Sequence, residues 1–348
     1  MTGPADEPVL TSAEGRVARI VLNRPRVINA LNHDMVLRID AALSAWRADP
    51  QVEAVVITGA GERGLCAGGD IRAVHDDASQ GDGREAAAFW RDEYRLNASI
   101  ASYPKPYVAV MDGIVMGGGV GVSAHGDVRV VTERSLVGMP ETAIGFVPDV
   151  GGTYLLSRAP GELGTHLALT GMPVGAGDAV LCGLADHFVP ADRLTEFSAA
   201  LAHETPETAV AGFATPCPDG ELAGQREWID HCYAADSVEE IVARLRSSGI
   251  TAAKQTAEII LTKSPTSLKV TLAAVRRARG LSRLEDVLAQ EFRVSCAMLS
   301  APDLVEGVRA QIIDKDRNPR WSPATLAEVS AQDVERPFAH PADLWASS

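Results

Sequence analysis

Twice between residues 54 and 121 a short Val- and Ile-rich run leads into a cluster of glycines. This repeat constrains the fold more than any other feature. Residues 54–58 are followed by Cys66-Ala67-Gly68-Gly69-Asp70-Ile71. Tyr107–Met111 is followed by Asp112-Gly113-Ile114-Val115-Met116-Gly117-Gly118-Gly119-Val120-Gly121. Such apolar runs read as buried strands. Glycine after a strand lets the backbone turn sharply and bring bare N–H groups close to a ligand. Two N–H groups aimed at one point form an oxyanion hole, where one donor is worth about 10²–10³ in rate. A helix opening behind the second cluster is expected to add its positive end. Either cluster alone is also compatible with a plain turn.

Further strands are predicted over Val17–Leu22, 128–132 and 187–189, with helical patterns over 34–48 and 86–102. Strands alternating with helices predict an α/β fold class for this region. The polar interval 76–84 reads as an exposed loop. Beyond about residue 235 the texture becomes helical. Ser237 with Glu240 and Ser282 with Glu285 fit the capping-box spacing, and Ser264-Pro265 suits a helix start. Helices are predicted over 237–247, 265–279, 283–299 and 303–313, with 203–224 as a connecting stretch and an irregular tail from Asn318. The resulting division is a core over 1–200 and a mainly helical region over 201–348.

Several function classes are disfavoured. A formal net charge of −14 opposes general nucleic-acid binding. No stretch approaches the ~20 apolar residues of a membrane span. The opening MTGPADEPVL lacks the basic flank and apolar run of a signal peptide, so a cytoplasmic location is the expectation. The five cysteines form no C-x-x-C pair and the eight histidines show no metal spacing, so neither a disulfide framework nor a metal site is predicted. Gly59 to Gly64 matches G-x-G-x-x-G, but more glycines follow where a dinucleotide fold needs a helix. Gly121-Val122-Ser123-Ala124-His125 lacks the last glycine of a nucleophile elbow.

The third informative element is the stretch from Met139 to Gly152, MPETAIGFVPDVGG. It is apolar, stiffened by two prolines, and carries only two acids, Glu141 and Asp149. A carboxylate among Met, Ile, Phe and Val has its charged form disfavoured and its pKa raised, which suits proton transfer or nucleophilic work near neutrality. Capping of local backbone is the alternative use of both acids.

These three elements, in this order, resemble the crotonase (enoyl-CoA hydratase/isomerase) superfamily. The resemblance implies a crotonase-like spiral of ββα turns with a helical C-terminal region. It also implies that Gly69 and Gly118 supply the two oxyanion N–H groups for a thioester. Enoyl-CoA hydratases carry a glutamate at the position of Gly121, paired with one matching Glu141; this chain has no side chain there. The pattern M-P-E-T-x-I-G-x-x-P-D-x-G-G is similar instead to the 3-hydroxyisobutyryl-CoA hydrolase branch. That likeness continues at 264–269, 306–310 and 314–316 and covers nearly the whole chain.

By this resemblance Glu141 and Asp149 are the catalytic acids, and Glu93, Gly118, Glu141 and Asp149 bind the acyl group. Coenzyme A is expected along Arg24, Arg26, Asn29, Ala30, Ala67, Gly68, Gly69, Asp70 and Ile71, with Lys105 and Lys269 as further cations. Coenzyme A belongs to the substrate, and no separate cofactor is implied. The implied activity is hydrolysis of 3-hydroxyisobutyryl-CoA or a close 3-hydroxyacyl-CoA, as in valine catabolism. The rivals are an enoyl-CoA isomerase or hydratase, and a non-catalytic acyl-CoA-binding protein. The only partner implied is the acyl-CoA substrate, and a homo-oligomer is compatible with the helical C-terminal region.

Overall fold

The structure is a computed structural model and describes residues 7–346. The chain forms two compact units, each drawn from separated segments. The first comprises the described residues of Met1–Gly69, with Arg95–Gly138 and Val174–Gly220. The second comprises Asp70–Tyr94, Met139–Pro173 and the described residues of Glu221–Ser348. This grouping by packing differs from a single cut at residue 200, because 70–94 and 139–173 pack with the later helices.

The first unit holds all the named strands: β1 (Val9–Glu14), β2 (Val17–Leu22), β3 (Ala54–Gly59), β4 (Tyr107–Met111), β5 (Ile114–Met116), β6 (Val128–Val131), β7 (Leu136–Gly138) and β8 (His187–Phe188). Six of them form one sheet in the order β1-β2-β3-β4-β6-β8, and β5 pairs with β7 in a second. The β1–β2 pair is antiparallel and the others are parallel. Parallel strands are normally covered on both faces, and β4 is buried along its whole length. Val17, Val56, Val108, Val110 and Val130 project from one face onto Phe197, Leu201 and Val210. The strands expected from Val/Ile runs are therefore present. Strand β1 was missed because VLTSAE carries its apolar residues only at the start; its other positions are largely exposed.

The second unit is largely helical. Ser237 and Ser264 cap their helices by accepting from Glu240 N and Ser267 N. Ser282 does not cap: the helix Leu284–Met298 begins after Arg283 with no side-chain cap. The stretch expected over 303–313 is an α-helix, Pro302–Val308, followed by a π-helical turn, Arg309–Ile313. The interval 76–84 is corrected as well, since Ile71–Gln80 is a helix. Only Val74 of that helix is buried, so its surface composition concealed it. The segment 203–224 also holds a helix, Pro206–Phe213, capped by Thr205.

Candidate active site

In the first unit the two glycine clusters lie side by side. The segment leading to the first cluster runs along β5, with Cys66 N donating to Ile114 O at 3.1 Å and Met116 N to Cys66 O at 3.0 Å. The approach demands glycine: a Cβ at Gly119 would stand 2.6 Å from Cys66 O. Gly68 (φ 112°) and Gly117 (φ 48°) take backbone conformations that L side chains disfavour. The Gly69 and Gly118 N–H groups have no acceptor among the described residues. The expected helix contribution is corrected, because Gly118–Gly121 is a single turn and its dipole is correspondingly small.

The segment expected to meet coenzyme A packs against the first cluster. Ala67 N donates to Ile28 O at 2.9 Å, and Leu31 N to Gly68 O at 2.8 Å. Asn29 is fully buried and serves the fold, its Nδ2 donating to Ala60, Gly64 and Leu65 carbonyls. Its Oδ1 accepts from Arg24 N, while the Arg24 guanidinium donates to Ala30 O at 2.6 Å. Arg26 is exposed. Asp70 and Ile71 open the second unit. The ammonium groups of Lys105 and Lys269 already hold backbone carbonyls, and Lys269 also pairs with Glu239.

Among the buried acids of the second unit, Glu93, Glu141, Asp149 and Glu291 are linked by electrostatics. Glu93 comes from the helix Arg84–Ala101, which belongs to this unit through Tyr94. Trp90 of the same helix stacks on Phe146 with ring centroids 4.9 Å apart, fastening the 139–152 loop. Within that loop Glu141 opens the 3-10 turn Glu141–Ile144. Burial, and then the nearby Asp149, hold Glu93 and Glu141 well above the ordinary carboxylate range. Glu93 Oε1, Glu141 Oε2 and Thr142 Oγ1 are buried without a hydrogen-bond partner among the described residues. Such groups are costly to leave unmade, and a polar ligand would satisfy them.

Asp149 is treated differently. Tyr94 Oη donates to its Oδ2 at 2.6 Å, and Ser295 Oγ lies 2.8 Å from the same hydroxyl. Burial raises Asp149 to about 7, against the lowering effect of the Tyr94 bond. Glu291 accepts from Gly151 N at 2.7 Å, Thr153 N at 2.9 Å and Thr153 Oγ1 at 2.5 Å. Burial nevertheless pushes Glu291 up to about 8. Burial raises all four acids, and Asp149 further raises Glu93, Glu141 and Glu291, so ionising all of them together is disfavoured.

Tyr94, Thr153, Glu291 and Ser295 were not among the residues picked from sequence. A signal for two of them exists. The buried stripe Leu284, Val287, Leu288 of one helix continues with Glu291 and Ser295 at core-facing positions, and a polar residue there needs a partner. Asn97, one turn beyond Glu93 on its helix, was also missed. It is fully buried, and neither end of its amide has a partner among the described residues.

The family model for enoyl-CoA hydratase/isomerase matches residues 17–338. A protein from Danio rerio named 3-hydroxyisobutyryl-CoA hydrolase, mitochondrial, is 42% identical over 97% of this chain and 91% of its own. Its namesake from Homo sapiens is 40% identical over 96% and 89%. Among solved structures, one titled a carnitinyl-CoA dehydratase from Mycobacterium thermoresistibile is 56% identical. It covers 97% of this chain and 98% of that one, with a TM-score of 0.95. Another, titled an enoyl-CoA hydratase from Rhodobacter sphaeroides, is 41% identical over 96% and 98%, with a TM-score of 0.91. The expected cytoplasmic location is overturned by the relatives' names, which place those enzymes in mitochondria. It had rested on the lack of a secretory signal, which does not separate cytosol from an organelle interior. No helix among the described residues is long and apolar enough to cross a membrane. With the family model matching most of its length and relatives of 40% identity or more along nearly all of it, the chain belongs to the enoyl-CoA hydratase/isomerase family, the crotonase superfamily.

Proposed function

We propose that the chain hydrolyses the thioester of 3-hydroxyisobutyryl-CoA, or of a close 3-hydroxyacyl-CoA, to the free acid and coenzyme A. The observation that carries this reading is Glu141, a buried carboxyl in an apolar loop whose Oε2 has no partner among the described residues. In this reading the free N–H groups of Gly69 and Gly118 form an oxyanion hole for the thioester oxygen. Glu141 acts in one of two ways. Its carboxylate attacks the carbonyl carbon and expels the thiolate, leaving a mixed anhydride that water cleaves; or it takes a proton from the attacking water. A thiol with a pKa near the ~8.5 of cysteine departs readily, so a strong general acid is dispensable. Asp149 orients substrate or water and helps protonate the leaving sulfur. Glu93 binds the 3-hydroxyl of the acyl group. The activity serves valine breakdown, with coenzyme A arriving as part of the substrate and no separate cofactor entering.

Gly121 sets this chemistry apart from hydration, which needs a second acid across the double bond. A second reading, elimination or hydration, is favoured by the dehydratase title of the structure that is 56% identical. A panel of acyl-CoA esters separates the two. Hydrolysis predicts free thiol released from 3-hydroxyisobutyryl-CoA and no hydration of crotonyl-CoA. Hydration of crotonyl-CoA without thiol release from any 3-hydroxyacyl ester would refute the hydrolase reading.

A further inference from the structure

Asp149 is held from two directions by one face of the helix Leu284–Met298. Ser295 reaches it through Tyr94, and Glu291, four residues earlier and so on the same face, holds the backbone just beyond it. The hydrogen-bond directions are fixed by counting protons. Asp149 in its charged form only accepts, so the single Tyr94 proton goes to Asp149 Oδ2. The Tyr94–Ser295 contact at 2.8 Å then requires Ser295 Oγ to be the donor. The chain runs Ser295 to Tyr94 to Asp149, and all three side chains are buried. The Tyr94 ring is itself fixed edge-on against Phe292, with centroids 6.1 Å apart and an 84° angle between planes.

The backbone beside Asp149 needs such support. Val150 has φ 52°, a left-handed conformation that is unfavourable for a β-branched residue. The next N–H, that of Gly151, is one of the donors Glu291 receives.

We propose that Tyr94 is a positioning residue for Asp149, oriented by Ser295, and that it sets the direction of that carboxylate. The inference rests on the reading of Asp149 as part of the hydrolytic site. The titratable groups facing Asp149 are Glu93 beside Tyr94, Glu141 on the loop and Glu291 on the supporting helix. Burial disfavours the charge of Asp149, whereas the Tyr94 bond favours it; Asp149 in turn raises these three neighbours. Removing that bond therefore moves the Asp149 titration to higher pH. The proposed role is distinct from packing, because Tyr94→Phe keeps the ring and deletes only the hydroxyl.

The test compares wild type with Tyr94→Phe, Ser295→Ala and Asp149→Asn, using thiol release from 3-hydroxyisobutyryl-CoA against pH. Alongside it, carboxyl carbon NMR follows aspartate-labelled protein, with the Asp149 signal identified by its loss in Asp149→Asn. Tyr94→Phe is expected to raise the Asp149 titration by about one to two pH units, the worth of a hydrogen bond to a charged group. It should also lower kcat at least about 10-fold with KM changed less than about threefold. Ser295→Ala, a smaller change that guards against misfolding of the first variant, is expected to shift the titration in the same direction by less, and Ser295→Thr to restore it. An unchanged titration and unchanged pH–rate profile in both Tyr94→Phe and Ser295→Ala overturns the proposal. Full activity in Asp149→Asn overturns instead the catalytic reading of Asp149, and with it any catalytic purpose for Tyr94, even where the titration shifts.

Discussion

Gly307 lies directly beneath Ile144: a Cβ at Gly307 would stand 2.3 Å from the Ile144 carbonyl carbon. In the same region a Cβ at Gly145 would stand 2.0 Å from Asp303 O. The helix Pro302–Val308 thus packs backbone to backbone on the turn that opens with Glu141. Gly307→Ala is predicted to push the turn away. Overpacking costs of about 1–3 kcal/mol are typical, and kcat should fall with the displaced Glu141. Urea denaturation and thiol release measure the two effects. A variant with wild-type stability and rate would show that this contact does not hold the turn.

Glu291→Gln is predicted to lower both stability and kcat. The amide offers one acceptor oxygen where the carboxylate meets three donors, so at least one of the Gly151 and Thr153 groups loses its partner. A buried group left unpaired costs about 1–3 kcal/mol. The strained Val150 then relaxes more easily. The change should appear as a lower denaturation midpoint and a kcat reduced more than KM.

Stability is predicted to decline as pH rises from about 5 to about 8. Asp149 is raised to about 7 and Glu291 to about 8 in the folded chain, against ~4 for unfolded carboxyls. The native state therefore binds these protons more tightly than the unfolded state does. Their contribution is fully present below ~4 and is lost as pH rises through the folded values. Each group contributes a slope of up to about 1.4 kcal/mol per pH unit in that window. Denaturation curves taken at several pH values check the slope, and a stability rising across the window would contradict it.

Turnover is predicted to move the other way. In the proposed mechanism Glu141 must be ionised to attack the carbonyl carbon or take a proton from water, and its carboxyl sits well above 4.5 through burial and the nearby Asp149. The kcat/KM for thiol release should therefore rise with pH through an inflection well above 4.5. A profile already flat at pH 5 would mean that no raised carboxyl limits the reaction.

Much of the candidate site was legible in the sequence because its signals are local. A Val/Ile run before a glycine cluster, or two acids in a greasy proline-bounded loop, is readable within fifteen residues. Glu141 and Asp149 are buried as the composition of their loop implied. Tyr94, Glu291 and Ser295 were not legible in the same way. Their importance comes from contacts spanning 55 residues from Tyr94 to Asp149 and 201 from Tyr94 to Ser295, and nothing in the local pattern encodes those pairings. The helix Ile71–Gln80 was hidden for a different reason: only Val74 is buried, and its second half, Asp76 to Gln80, is polar and reads as loop.

The most direct measurement is thiol release from 3-hydroxyisobutyryl-CoA by the wild type and by Glu141→Gln, with coenzyme A affinity measured on both. Glutamine preserves the shape of the side chain but is a poor nucleophile and base. The prediction is rapid release by the wild type and a loss of several orders of magnitude in the variant, with coenzyme A bound within about threefold. Undiminished turnover by Glu141→Gln would contradict the account.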